Sequence, residues 1–236
     1  MLDLASRNCK ADKIAHLLDL PNRPQPPRLL EIGTGSGGIA HWFAIHATRQ
    51  CEVTAVDVCD NRLVHDGYSF QMVADVELPF DGASFDAVIS NHVIEHVGDA
   101  NAQQQHLNEV RRVMKSDGVG YLAVPNRWML TEPHYRLMFF SWWPRAWRTP
   151  YLRLWRKDEA YDCEPLQMRQ LERMLGASRL AGTNRYRRLA CHARYRAIQP
   201  IWCAPACRHT VCMVARAQAN HSHAHLSDRA HGQMSQ

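Results

Sequence analysis

The residues whose types suit chemistry fall into two groups in the first half of the chain. The first is Glu31-Ile32-Gly33-Thr34-Gly35-Ser36-Gly37-Gly38. Glycines so spaced permit positive φ and let the backbone approach a ligand that a Cβ would push away. If a helix follows, its free N–H groups add an anion-binding end. Asp57 lies downstream at a strand end, where a carboxylate reaches the ribose hydroxyls of a nucleotide, and Asp75 is a further acid. The second group is His92-Val93-Ile94-Glu95-His96, two imidazoles and a carboxylate that can move a proton.

These groups need a scaffold, and the hydrophobic pattern supplies one. Residues 10–20 place Ile14, Leu17 and Leu18 at helical spacing, and the four prolines between Pro21 and Pro27 stop that helix. The expected strands are 28–32, 53–58, 68–73, 85–90 and 119–124. Helices are expected at 39–48 and 101–115, the second ended by Asp117-Gly118. Such alternation implies an α/β fold with a mostly parallel sheet covered by helices on both faces. Beyond Pro125 the period is lost until a helix at 165–175 and strand-like runs at 185–198 and 209–215. Residues 218–236 are polar and His-rich, and read as a disordered tail.

A loop of this kind serves either of two cofactors. Gly33, Gly35 and Gly38 are in register with the dinucleotide fingerprint, so a nicotinamide-dependent oxidoreductase is the alternative to weigh. Three features separate the readings. Glu31 lies at the strand end, where a carboxylate suits a cationic amine better than a pyrophosphate. Asp75 adds a further acid after the third strand. No second mononucleotide-binding half follows the fifth strand.

The ordered set Leu29 to Gly37, Asp57, Asp75 with Leu78-Pro79-Phe80, Ser84 to Val88, Asn91 to Val97 and Leu107 to Gly118 resembles the class I S-adenosylmethionine-dependent methyltransferases. Within them it is similar to the small-molecule branch called the UbiE/type 11 group. The resemblance is strong over residues 27–126 and weak over 160–216. It implies a Rossmann-like seven-stranded sheet with an antiparallel final strand and a lid inserted after strand 5. The domain would span residues 1–216, with the lid at about 127–160 and a tail at 217–236. The resemblance gives S-adenosylmethionine as the cofactor. Glu31, Gly33, Gly35 and Gly37 would hold its methionine end, Asp57 its ribose and Asp75 its adenine amine, with Asn91 a further cofactor-binding residue. His92, Glu95 and His96 would lie where acceptor and methyl meet, with a His as general base if the acceptor must lose a proton.

Metal readings compete for some of these residues. His92-x-x-Glu95-His96 has a metalloprotease spacing, but that motif needs a long helix and here follows a strand. It also resembles the E-x-x-E-H run that ubiquinone-pathway O-methyltransferases use with a divalent ion. His92 replaces the first Glu, so ligation and plain packing both remain open. The cluster Cys203-x-x-x-Cys207-x-His209-x-x-Cys212 offers four soft ligands, yet its first spacing is not the usual two and 209–215 reads as strand. No metal is assigned.

Charge is unevenly spread along the 236 residues, whose net is +5. Residues 1–126 carry 10 basic and 16 acidic side chains, whereas 127–196 carry 15 and 6 with five of the seven tryptophans. This basic, aromatic insert could be a lid or dimer surface, an interfacial element on anionic lipid through 137–156, or a nucleic-acid contact. The last is disfavoured because Asn91-His92-Val93-Ile94 lacks the prolines of a base clamp. The favoured reading is a lid over a bulky, partly apolar small-molecule acceptor, lipid-linked or anionic, with His134 and Tyr135 as its contacts. The first twenty residues have no unbroken apolar stretch and the eight cysteines no scaffold spacing, so a cytoplasmic protein with free thiols is expected, peripheral to the membrane's inner face if the insert meets lipid. A cofactor-binding module that has lost catalysis is the non-enzyme alternative.

Overall fold

In the computed structural model, the described residues are 4–21, 23–125, 166–183 and 210–217, with Trp147 and Pro150. Strands β1 (Arg28–Ile32), β2 (Glu52–Asp57), β3 (Ser69–Met72), β4 (Phe85–Asn91), β5 (Met114–Pro125), β6 (Leu180–Thr183) and β7 (Thr210–Ala217) form one sheet. Their order is β3-β2-β1-β4-β5-β7-β6. β1 to β5 pair in parallel, and β7 runs antiparallel to both β5 and β6. The order reverses between β1 and β4, so their carboxyl ends open a crevice where open α/β sheets bind ligands.

Alternation along the central strands explains both layers. Leu30, Ile32, Val56, Val88, Leu122 and Val124 face a core with Leu107, Val110 and Val113 of α3 (Ala100–Val113) and Leu171 and Leu175 of α4 (Met168–Ala177). Leu29, Val53, Ala55, Ala87, Ile89 and Ala123 face the opposite core, with Ile14, Leu17 and Leu18 of α1 (Leu4–Leu18) and with Phe43. Strands apolar on both faces belong in the middle of a parallel sheet. Each fully buried Leu or Ile contributes about 1.5–3 kcal/mol, so the two cores dominate the fold's stability.

Several boundaries differ from the sequence expectation. α1 begins at Leu4, six residues earlier than expected. The helix after the glycine loop is one α-turn, α2 (Gly38–His41), continuing as a π-helical turn over Trp42–His46. Asp117-Gly118 does not separate α3 from the strand, because β5 already starts at Met114. Met114 pairs with Phe85 and Val119 with Ala87, so the residues between bulge out of the ladder. Lys115 Nζ, 3.0 Å from both Asp86 carboxylate oxygens, ties down that bulge. α4 starts at Met168 rather than 165, and β6 was not expected. The expected lid at 127–160 with His134 and Tyr135, the run 185–198 and the tail from 218 lie outside the described residues.

α3 owes its start to Asp99, whose Oδ1 accepts from the N–H groups of Asn101 and Ala102, both at 3.0 Å. Asp99→Ala removes the cap and is expected to cost about 1 kcal/mol, read as a lower urea midpoint at unchanged m-value.

Candidate functional site

At the carboxyl ends of β1, β2 and β4 lies a cavity of about 740 Å³. Gly33, Thr34 and Gly35 of the glycine loop form its floor. The N–H groups of Gly33 and Thr34 donate to the Val56 carbonyl at 2.8 and 3.3 Å, fastening the loop to β2. Gly35 N–H donates to Asp57 Oδ2 at 2.8 Å, and Val58 N–H to Asp57 Oδ1 at 2.8 Å. Asp57 therefore holds the middle of the loop and also lines the cavity. Gly35 has φ +54° with nothing within 4 Å of where a Cβ would stand, so the space above it is open to a ligand.

Glu31 is 1% exposed at the head of the loop. The Ala40 N–H is its backbone hydrogen-bond donor, and Oε2 has no partner among the described residues. Burial is the main cause that pushes its carboxyl up to about 8; the Ala40 N–H and the Arg7 charge pull the other way. A buried carboxyl with an unmatched oxygen, lining a cavity, fits a ligand ammonium.

The opposite wall is the turn after β4. His92 has φ +60°, unusual for a residue with a Cβ, and its N–H donates to the Ala123 carbonyl at 2.9 Å. This turn sets His92 Nδ1 3.2 Å from Oε1 of Glu95, which is fully buried. Glu95 Oε2 and Asn91 Oδ1 are also without partners among the described residues. A proton on Nδ1, donated to Glu95, leaves Nε2 as an acceptor.

Of the residues expected from sequence, Glu31, Gly33, Gly35, Asp57, Asp75, Asn91, His92 and His96 line this one cavity. Gly37 does not. It caps α2 at φ +79°, and a Cβ there would strike the Tyr68 hydroxyl and the Val64 carbonyl. Glu95 stands behind His92 rather than on the wall. Asp75 also caps its own turn, accepting from Val76 N–H at 2.6 Å. Among the described residues no cluster of three or more His, Cys, Asp or Glu could hold a metal ion. Cys212 of the soft-ligand cluster is buried in β7 beside the Tyr121 hydroxyl at 3.3 Å; Cys203, Cys207 and His209 lie outside the described residues.

Three charged or titratable wall residues escaped the sequence reading. Arg7 and Lys10 reach the cavity from α1, and His106 from α3. Arg7, Ala11, Ile14 and Leu18 form one stripe at helical spacing, with the last three buried in the core. Continuing that stripe toward the N-terminus was the signal that could have found Arg7. His106 is fully buried with Nε2 3.0 Å from Ser90 Oγ, and burial lowers it to about 4, so the ring is neutral near pH 7. Among the described residues no helix is long and apolar enough to cross a membrane.

Residues 30–122 match the family model described as a methyltransferase domain, the type 11 group. No curated protein matches the chain. Solved structures share the fold at low identity. A 1,6-didemethyltoxoflavin N1-methyltransferase from Burkholderia thailandensis, with S-adenosylhomocysteine bound, aligns over 92% of this chain and 80% of its own at 18% identity and a TM-score of 0.58. The [4+2]-cyclase SpnF aligns over 90% and 81% at 16% identity and 0.57. Phosphoethanolamine N-methyltransferase 2 of Haemonchus contortus, in complex with S-adenosyl-L-methionine, aligns over 88% and 52% at 16% identity and 0.54.

Proposed function

We propose that this chain, whose residues 30–122 are a type 11 methyltransferase domain, transfers a methyl group from S-adenosylmethionine to a hydroxyl or amine of a small-molecule or lipid-like acceptor. The observation that carries the reading is Glu31, a buried carboxyl with a free oxygen at the head of an open glycine cradle. That pair of features fits the cofactor's amino-acid end. Asp57 would take the ribose hydroxyls and Asp75 the adenine amine.

When bound, the cofactor would supply a methyl group already activated by a sulfonium, with sulfur as the neutral leaving group. The chain's remaining work is alignment, exclusion of water and one proton transfer. His92 Nε2 takes the proton from the acceptor O–H or N–H while the acceptor's lone pair forms the new bond to carbon. Glu95, accepting from Nδ1, keeps the ring in the tautomer that leaves Nε2 basic. Asn91 and His96 complete the wall at this end.

Calorimetric titration with S-adenosylhomocysteine and with NAD tests the reading. The first should bind at micromolar concentrations and the second not. No binding of S-adenosylhomocysteine at about 1 mM would overturn the proposal, and tight NAD binding would replace it with the oxidoreductase alternative. Asp57→Ala is expected to weaken S-adenosylhomocysteine at least about tenfold, since it removes both the ribose acceptor and the Gly35 anchor. Equal affinity would take Asp57 out of the site.

A further inference from the structure

The cofactor leaves one charge on the cavity wall unexplained, and it is the ammonium of Lys10. Arg7 and Lys10 stand three residues apart on α1, so the helix carries two like charges side by side and partly buried. Like charges at this spacing destabilise a helix unless something answers them. Among the described residues neither makes an ion pair. Burial, with the neighbouring Arg7 charge adding to it, holds the Lys10 ammonium below the ordinary lysine range.

The two cations have different neighbours. The Arg7 charge acts on Glu31 at the glycine loop, and the Arg7 side chain packs against Gly38. An amino acid's carboxylate and ammonium are on one carbon, so a ligand ammonium at Glu31 brings its carboxylate toward Arg7. Lys10 instead adjoins Ala11, which is buried in the same core as Ala123 and Cys212, and the Ala123 carbonyl is the one that holds the His92 N–H. With Arg7 matched by the cofactor, Lys10 would remain an unmatched charge on the wall of the cavity that His92 also lines, and a bound sulfonium would add a second. Two positive charges on one wall of a partly enclosed site attract an anion there.

We infer that Lys10 is an acceptor-binding residue and that the acceptor is an anion, bearing a carboxylate or a phosphate close to the atom that is methylated. This rests on the methyltransferase reading and names the substrate class for its site. It also assigns α1 a share in acceptor selection that the sequence alone had left to residues 127–160.

Simple anions test it without knowledge of the acceptor. Benzoate, phenyl phosphate and neutral benzamide would be titrated into the full chain, first saturated with S-adenosylhomocysteine and then without it. Benzoate or phenyl phosphate should bind and benzamide should not, and whichever anion binds more tightly tells carboxylate from phosphate. Lys10→Gln should weaken the anion by about tenfold or more and leave S-adenosylhomocysteine affinity unchanged. Lys10→Arg should restore anion binding. Benzamide binding as well as the anions, anion affinity indifferent to Lys10→Gln, or no anion bound at about 10 mM would each overturn the inference. So would a loss of S-adenosylhomocysteine affinity in Lys10→Gln, which would put Lys10 in the cofactor subsite. Should S-adenosylhomocysteine fail to bind the unaltered chain, the methyltransferase reading falls by itself, and the titration without it still decides whether Lys10 holds an anion.

Discussion

Glu31→Gln should make the protein more stable at pH 7 while reducing S-adenosylhomocysteine affinity about a hundredfold. The two effects have one cause. Glu31 is 1% exposed, receives the Ala40 N–H and has an unmatched Oε2, and burial raises its carboxyl from 4.5 to about 8. Between those values the folded chain keeps a proton that the unfolded chain has released. Stability therefore falls as pH rises through that window and levels off above about 8. At pH 7 the carboxyl costs the fold on the order of 3 kcal/mol. A Gln of the same shape has no proton to lose, so Glu31→Gln should show no such slope, and the gap between the two proteins should widen from pH 5 to pH 8. Ligand binding runs the other way. An ammonium at Oε2 favours the ionised carboxyl, so affinity for S-adenosylhomocysteine should rise with pH toward about 8 in the unaltered chain and stay flat in Glu31→Gln. Urea unfolding and calorimetry across that range read both. Parallel stability profiles, or affinities that match, would remove Glu31 from the role given to it.

How much of this was legible depended on where each signal resides. β1, β4 and the glycine loop are local in sequence: apolar runs buried on both faces, then residues that tolerate positive φ. The candidate residues on them, Glu31, Gly33, Gly35 and Asn91, did converge on one cavity with Asp57 of β2. Asp117-Gly118 misled because a turn dipeptide looks the same in a β-bulge as after a helix; only the Phe85–Met114 pairing separates the two. β6 carried no signal of its own. Leu180-Ala-Gly-Thr183 is short, and Gly182 fits because a Cβ would approach Leu175 Cδ1 and Met213 Cε to 2.8 Å. Its strand character comes from β7, a partner about thirty residues away. Arg7 and Lys10 are similar cases, ordinary basic residues on a helix until the packing of Ile14 and Leu18 aims their end of it at the cavity. Gly37 is the converse case. It matched the loop pattern, but its place is the cap of α2.

Gly33→Ala and Gly35→Ala should separate what the glycine loop does for the fold from what it does for the ligand. Both residues have positive φ, +74° and +54°, so each alanine costs about 1 kcal/mol in backbone strain. Their surroundings differ. A Cβ on Gly33 would stand 2.3 Å from Val93 Cγ2, whereas one on Gly35 would meet nothing within 4 Å. Val93 has a stiff β-branched side chain packed against the α3 core, so it cannot simply turn aside. Overpacking there adds about 1–3 kcal/mol, and Gly33→Ala should lose about 2–4 kcal/mol in all. Val93 follows His92, so the same push disturbs the turn that holds His92 at φ +60° and its Nδ1 against Glu95. Gly35→Ala should keep nearly all its stability yet bind S-adenosylhomocysteine far more weakly, because its methyl group enters the space above the loop. Val93→Ala makes room for the methyl at position 33. In a double-mutant cycle it should return part of the stability lost in Gly33→Ala, a coupling of about 1 kcal/mol or more, and give nothing back in Gly35→Ala. Equal destabilisation by the two single alanines, or no coupling between positions 33 and 93, would show that the loop and the turn after β4 are not interlocked.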